Sequence, residues 1–513
     1  MRPEPLLRNS PLPRPARMLQ CLALALASCA ALPASAQQVR IEPYVSGSLT
    51  WTDNVDAASS GGGSGLVADI APGVSIARDG GRIQGRLDAS LRNQVTLSGD
   101  KGDSTFLSLL GRGGIEAVDD LFFIDMDASI SRDNTSLFGG RIRGDTLNTD
   151  SDDEIRTFGI APRLELRFGD TAATLAYRAR WLDSGGELGS QRVGQWLANA
   201  GNATAFGYFG WGANYSRTDT AYGSSGTTDV SQEVARGILY INVSPQLRLS
   251  LIGGHESNDY AVRKGESGSI TGAGFDWRPN ERTTVSGVSE KRIFGRGYDF
   301  QVNHRRARSS WELGWSRDIS SSLDTFETLL EDPMYRMFYN ALASSIPDPV
   351  AREQAVRQLL QSLGYTSAGL NETVVSSNYF VDRRLRAGFS LIGVRNVLSF
   401  SLLRSERERL GGVTFVSLQD DLSIYERVRE TSGVVSFSHR LSAHSALSVG
   451  LTRSRARGEG TAAADTRRTL FSLGLTTRLG PRTTAGLSYR YQKSSGSDDF
   501  TENAIIANVA MRF

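Results

Sequence analysis

Strict alternation of apolar and polar side chains dominates long stretches of this chain. Over residues 82–97, Ile83, Gly85, Leu87, Ala89, Leu91, Asn93, Val95 and Leu97 fall on one face, and Arg82, Gln84, Arg86, Asp88, Ser90, Arg92, Gln94 and Thr96 on the other. A period of two sorts residues this way in a strand and not in a helix. The same sorting recurs over 41–52 and 158–168, and it closes the chain: Ile505, Ala507, Val509, Met511 and the terminal Phe513 share one face. A strand that faces lipid needs an apolar side chain at every second position and an aromatic at the interface.

The connections alternate as well. Short turns are predicted at Asp79-Gly80-Gly81, Val118-Asp119-Asp120, Gly169-Asp170-Thr171, Ser244-Pro245-Gln246, 279–282, Val394-Arg395-Asn396, 441–444 and Gly480-Pro481-Arg482. Between them lie longer Gly-, Ser- and Asp-rich loops near 53–65, 133–152, 183–191, 218–230, 259–267, 409–421, 457–466 and 494–502. Short turns inside and long loops outside are the pattern of a transmembrane barrel, and an even strand number returns the C-terminus to the periplasmic side. The expectation is an all-β, antiparallel barrel of about 22 strands, with 20 to 24 as the range. Two of the strands are expected at 193–201 and 298–308. The form of the last strand resembles the C-terminal signal by which the barrel-assembly machinery recognises precursors.

One connection differs in kind. Residues 320–370 carry Leu323, Phe326, Leu329, Leu330, Met334, Met337, Phe338, Ala341 and Leu342 at helical spacing, then Asp348-Pro349 ahead of Leu359, Leu360, Leu363 and Gly364. An N-cap Asp, Pro at the first helical position and Gly past the end predict a helix there. Strand parity puts this helical insertion on the outer side. It is expected either to cap the lumen or to pack as a helical hairpin with no gating role.

The N-terminus agrees with export. Arg2, Arg8, Arg14 and Arg17 precede an apolar run from Cys21 to Leu32, and Ala34-Ser35-Ala36 supplies a small-residue cleavage site before Gln37. Residues 1–36 therefore read as a secretory signal and 37–513 as the barrel. Leu26-Ala27-Ser28-Cys29 offers a competing lipoprotein site that would acylate Cys29. Both cysteines lie within the signal, so no disulfide is expected in the mature chain. Cleavage removes four of the 57 basic and one of the 55 acidic residues, leaving a net charge near −1 and no reason to expect a nucleic-acid partner. After the signal no apolar run is long enough for a helical span, which leaves a closed barrel as the way to cross lipid with every backbone group paired.

The basic residues are almost all Arg. Arg82, Arg86, Arg92, Arg163, Arg167, Arg178 and Arg180 fall on or beside polar strand faces and are the candidates to line a lumen. Guanidinium binds carboxylate and phosphate bidentately, so such a lumen would favour anionic solutes, acidic polysaccharide included. The competing reading pairs them with Asp88, Glu165 and similar neighbours to stiffen the wall. Asp145, Asp150, Asp152, Asp153 and Glu154 form an acidic loop that could take a cation, but without the spacing or central Gly of an EF-hand. Gly102-Asp103-Ser104 lacks the context of a hydrolase block. His255, His304, His439 and His444 show no metal spacing. No cofactor, metal or enzymatic activity is expected.

In its second half the chain resembles the PEP-CTERM system-associated outer-membrane proteins found with exosortase and exopolysaccharide loci. The resemblance is carried by Trp277-Arg278-Pro279 with Glu281-Arg282-Thr283, Arg292-Ile293-Phe294-Gly295, His304-Arg305-Arg306, and Trp311 before Trp315-Ser316-Arg317-Asp318-Ile319. It continues through Asp348-Pro349, Arg383-Arg384-Leu385-Arg386-Ala387, Arg395-Asn396, Leu403-Arg404-Ser405-Glu406-Arg407 and Thr501-Glu502-Asn503, with the stretch 50–54 fitting as well. Arg317 stands where an acidic residue is expected. The resemblance implies an envelope protein of an exopolysaccharide-making bacterium and supplies no catalytic residue. The expected function is a porin-like barrel associated with exopolysaccharide or PEP-CTERM surface-protein export. The alternatives are a general diffusion porin and a filled structural or adhesive barrel. A plugged receptor would need well over a hundred residues ahead of its first strand, and strand one is expected almost at Gln37. Expected partners are outer-membrane lipid and lipopolysaccharide, the barrel-assembly machinery, and exopolysaccharide or its export proteins; oligomeric state stays open.

Overall fold

The alternating segments become strands that close on themselves. In a computed structural model, the described residues run from 39 to 513, apart from 61, 79, 100–101, 133–135, 139–153, 185–189, 224–228, 261–262, 322–375, 377, 412–419, 461 and 498. The signal segment, the helical insertion and Asp145, Asp150, Asp152 and Asp153 lie outside them. The strands are β1 Arg40–Thr52, β2 Gly65–Arg78, β3 Ile83–Ser98, β4 Ser104–Val118, β5 Phe122–Arg132, β6 Glu154–Phe168, β7 Thr171–Ser184, β8 Ser190–Phe206, β9 Phe209–Tyr222, β10 Val230–Ser244 and β11 Leu247–Tyr260. They continue as β12 Arg263–Asn280, β13 Thr283–Arg292, β14 Gly295–Arg305, β15 Ser309–Ser320, β16 Phe380–Ile392, β17 Asn396–Arg409, β18 Arg427–Arg440, β19 Ser445–Glu459, β20 Ala464–Arg478, β21 Thr483–Ser495 and β22 Phe500–Arg512. A single short helix, α1 Asp421–Ile424, is described between β17 and β18.

Each strand pairs antiparallel with its sequence neighbours, and β1 pairs with β22, so the 22-stranded sheet has no edge. The seam is fastened at both ends. At the periplasmic end the Phe513 amide donates to the Pro43 carbonyl at 2.9 Å. At the outer end the Asn503 amide and side chain both donate to Asp53, each at 2.7 Å, and Asn54 Nδ2 donates to the Thr501 carbonyl at 2.9 Å. The segments 50–54 and Thr501-Glu502-Asn503, some 450 residues apart in sequence, thus form one polar lock.

The oily face points outward. Ile505, Val509, Met511 and Phe513 are exposed on the barrel wall, Phe513 at 57%. Phe168, Phe206, Trp277 and Trp311 form an aromatic girdle near the short-turn end. Closure, an outward apolar band, an aromatic girdle and short turns at the end that holds the C-terminus are together the architecture of a bacterial outer-membrane barrel, and that is where the protein resides.

The structure shifts several expected boundaries. The expected strand 193–201 extends over all of β8, which turns into β9 through Gly207 and Tyr208. The expected strand 298–308 begins earlier, at Gly295, and ends at Arg305, because 306–308 form a periplasmic turn. The loops expected at 259–267 and 457–466 shrink because β11, β12, β19 and β20 run on above the lipid. There both faces are polar and the alternation that marks a strand vanishes, although the ladder continues. Arg82 belongs to the β2–β3 turn instead of a strand face.

Candidate functional site at the outer mouth

Twenty-two strands spaced about 4.8 Å apart and tilted about 40° close into a ring about 44 Å across between backbones. Side chains from the wall cannot fill such a width.

In the periplasmic half several large inward polar side chains stay hydrated, whereas small ones such as Ser390, Ser399 and Ser436 are buried. Asn214 Nδ2 donates to Asn199 Oδ1 at 2.7 Å between exposed side chains. Arg163 reaches Asp125 at 3.2 Å, pairs with Glu165 and stacks on Phe123. Strand parity places Arg86, Arg92, Arg163, Arg167, Arg178 and Arg180 on the inner face. Arg92 pairs with Asp69, and Tyr44 donates to Asp88 at 2.9 Å. Arg82 is instead exposed at the periplasmic rim, 2.5 Å from Asp119. The lumen is thus Arg-bearing, while several of these Arg serve wall ion pairs.

Towards the outer end the inner face changes character. Arg292 and Glu256 pair at 2.7 Å with side chains 3% and 0% exposed, and Arg236 grips Glu290 with two bonds of 2.9 and 3.0 Å. Arg490 donates to both oxygens of buried Glu502, which also accepts from Thr52 Oγ1 at 3.1 Å. Glu256 further accepts the Ile293 amide at 2.6 Å, which holds the tight β13–β14 turn. Arg317 caps that turn by donating to the Arg296 and Phe294 carbonyls. The departure from an acidic residue at 317 therefore gives the turn a donor.

Three outer connections meet inside the mouth. Asp420 caps α1 by accepting the Leu422 and Ser423 amides at 3.0 and 3.3 Å. Its other oxygen accepts from Ser376 Oγ at 3.1 Å and Asn378 Nδ2 at 3.2 Å. From there the chain reaches the far wall: Gln191 of β8 donates to the Ser376 carbonyl at 3.0 Å, and Thr220 of β9 bonds the Tyr379 hydroxyl at 2.6 Å. On the other side of α1, Asp421 accepts from Ser136 Oγ at 2.6 Å and the Leu137 amide at 2.7 Å. Leu137 and Phe138 pack with Phe380, Leu422, Val428 and Ala456 in a cluster closed to water. These contacts join β8 and β9 to β16 to β19, walls about eight strands apart round the barrel. Burial is the main cause that pushes the Asp421 carboxyl up to about 7, and its two hydrogen bonds pull the other way.

Other expected residues have ordinary roles. Glu154 opens β6 and pairs with Arg156 at 2.5 Å. Asp103 accepts the Thr96 amide at 2.9 Å, and Ser104 donates to Gln94 at 3.2 Å, so both brace the β3–β4 connection. His304 and His439 bond Thr283 and Asn396 near periplasmic turns, and His255 is exposed on the outward face of β11. Among the described residues no group of His, Cys, Asp and Glu is arranged to hold a metal ion.

No family model and no curated protein matches the chain. Solved structures do. The siderophore receptor PirA from Acinetobacter baumannii is 8% identical over 93% of this chain and 81% of that one, with a TM-score of 0.47. A double mutant of the ferric enterobactin receptor PfeA from Pseudomonas aeruginosa is 11% identical over 92% and 80%, with a TM-score of 0.45. A loop-deletion mutant of OmpT, an outer membrane protein of Vibrio cholerae, is 9% identical over 93% and 100%, with a TM-score of 0.32. These likenesses assign no ligand to this chain.

Proposed function

We propose that the protein is a porin-like outer-membrane conduit, closed in this state at its outer mouth, that serves exopolysaccharide or PEP-CTERM surface-protein export. The observation that carries the reading is the crossing of the mouth through α1. A barrel this wide has a hydrated, Arg-bearing lumen below and a set of hydrogen-bonded segments above, which is the construction of a passage with a closure. The association with export rests on the sequence resemblance. The proposal contains no catalytic step and no cofactor.

The second reading, a filled structural or adhesive barrel, draws on the buried ion pairs of the outer belt. Conductance separates the two. Full-length protein in a planar bilayer is expected to be closed or nearly so, and the variant Leu137→Ala/Leu422→Ala, which loosens the crossing, to open a large, anion-preferring pore. Silence from both, with the barrel demonstrably folded, would move the filled reading to first place. Large conductance from the full-length protein without dependence on an export locus would favour a general diffusion porin.

A further inference from the structure

The outer wall of β17 to β21 carries a second, different Arg surface. On the outward face, Phe400, Val435, Leu451 and Phe471 lie in one lateral row, all apolar and facing lipid. One and two positions further out on the same face stand Arg453 and Lys493, then Arg404, Arg455 and Arg467, with Arg457 one step above. The row of Arg457 also holds Arg429, Asp465 and Glu406, the last taken up by Arg429 at 3.2 Å and Arg427 at 3.6 Å. Asp465 is already shared, with Arg455 at 2.9 Å, Arg457 at 3.6 Å and Arg467 at 3.7 Å. Arg404, Arg453 and Lys493 are exposed and make no ion pair among the described residues. Gly433 lies beside Arg453 in the lateral row, and a Cβ there would meet nothing within 4 Å, so the wall is open between the cations.

The excess charge is local. At the corresponding height on β9, Arg217 is answered by Asp219 at 3.2 Å, with Glu233 directly opposite on β10. Ordinary solvation of a strand end needs no unbalanced cluster, and like charges so close repel unless an anion joins them. An anion that reaches this place must sit where the apolar band ends at the outer leaflet. Guanidinium forks suit phosphate oxygens, and the adjoining row of Phe, Val and Leu suits acyl chains.

We infer that the outward face of β17 to β21 is a binding site for a phosphorylated, acylated glycolipid of the outer leaflet, of the lipopolysaccharide type, with Arg404, Arg453 and Arg467 on its phosphates. The site lies outside the lumen and does not depend on the conduit reading.

The test is binding of fluorescent lipid A to the detergent-solubilised full-length barrel, with its heat-modifiable gel mobility as the folding control. The probes are lipid A, its dephosphorylated form, phosphatidylglycerol and a soluble acidic polysaccharide. Wild type is expected to prefer lipid A to each of the others, and the triple variant R404Q/R453Q/R467Q to lose more than about tenfold in affinity, as loss of several charge-assisted contacts requires. R217Q on β9 is expected to bind like wild type. Should the triple variant not fold, R453Q, which breaks no ion pair, is expected to weaken binding alone. Equal binding of phosphorylated and dephosphorylated lipid A, or variants that bind like wild type, would overturn the site. Equal or tighter binding of phosphatidylglycerol or the soluble polysaccharide would overturn its assignment to a glycolipid.

Discussion

The two ends of the lumen use the same side chains to different effect. Near the periplasm, Arg163 and Asp125 meet at 3.2 Å with Asp125 half exposed. Near the outer mouth, Arg292 and Glu256 meet at 2.7 Å with almost no exposure. Strand alternation places both pairs inward by one rule. What separates them is their surroundings: Arg292 lies over the Phe294 ring among Glu256, Glu290 and Asp318, with Glu256 also holding the Ile293 amide, whereas Asp125 stays open to water. Exposed pairs contribute little and tolerate loss, whereas a buried pair becomes structural because losing one partner strands the other.

The largest expected effect follows from that contrast. Glu256→Ala leaves Arg292 buried without its closest carboxylate and the Ile293 amide without its acceptor, and is expected to cost about 3–5 kcal/mol. Asp125→Ala is expected to cost less than about 1 kcal/mol. Denaturant unfolding in detergent, followed by loss of heat-modifiable mobility, measures both. Similar costs would erase the distinction between the two ends.

Next comes the crossing itself. Leu422→Ala deletes a fully buried side chain from the cluster around Leu137 and is expected to loosen the crossing by about 2–5 kcal/mol. Faster amide exchange of residues 136–138 and 420–425, with the strands unaffected, is the predicted signature.

A smaller effect sharpens the comparison through pH. The Asp421 carboxyl rises from an ordinary value of about 4 to about 7 when the mouth is closed. The closed state therefore holds the proton more tightly than the open one. Its stability is greatest below the ordinary value, falls as pH rises between the two, and levels off above the higher one. Exchange protection of 136–138 is expected to be stronger at pH 5 than at pH 8 in wild type. Asp421→Asn should hold it constant. An unchanged pH profile in that variant would assign the effect to another group.

The smallest effect belongs to the hydrated end. Arg167→Gln, at an exposed inward position near the periplasm, is expected to leave stability within about 0.5 kcal/mol while reducing anion preference in a conducting variant.

The barrel was legible because lipid enforces alternation. The outward face of β22, the strand count and most periplasmic turns follow from residues such as Ile505, Val509 and Phe513 and from Gly- or Pro-bearing turns. Above the lipid that constraint lapses. Arg455 and Arg457 face outward and Ala456 inward on β19, and no polarity rule marks those residues as strand. The inner Arg face was visible in Arg86, Arg163 and Arg178, but the closure was not. Leu137, Phe138 and Leu422 are isolated apolar residues in polar connections, and only the fold brings them together. The family resemblance included both 50–54 and 501–503 but gave no sign that the two segments touch.

The central claim is that the crossing through α1 closes an otherwise passable lumen. Single-channel conductance of the wild-type barrel against Leu137→Ala/Leu422→Ala tests it most directly. The account predicts a closed or rarely opening wild type and a variant with large, anion-preferring openings. A wild type that already conducts freely, or a folded variant as silent as wild type, would contradict it.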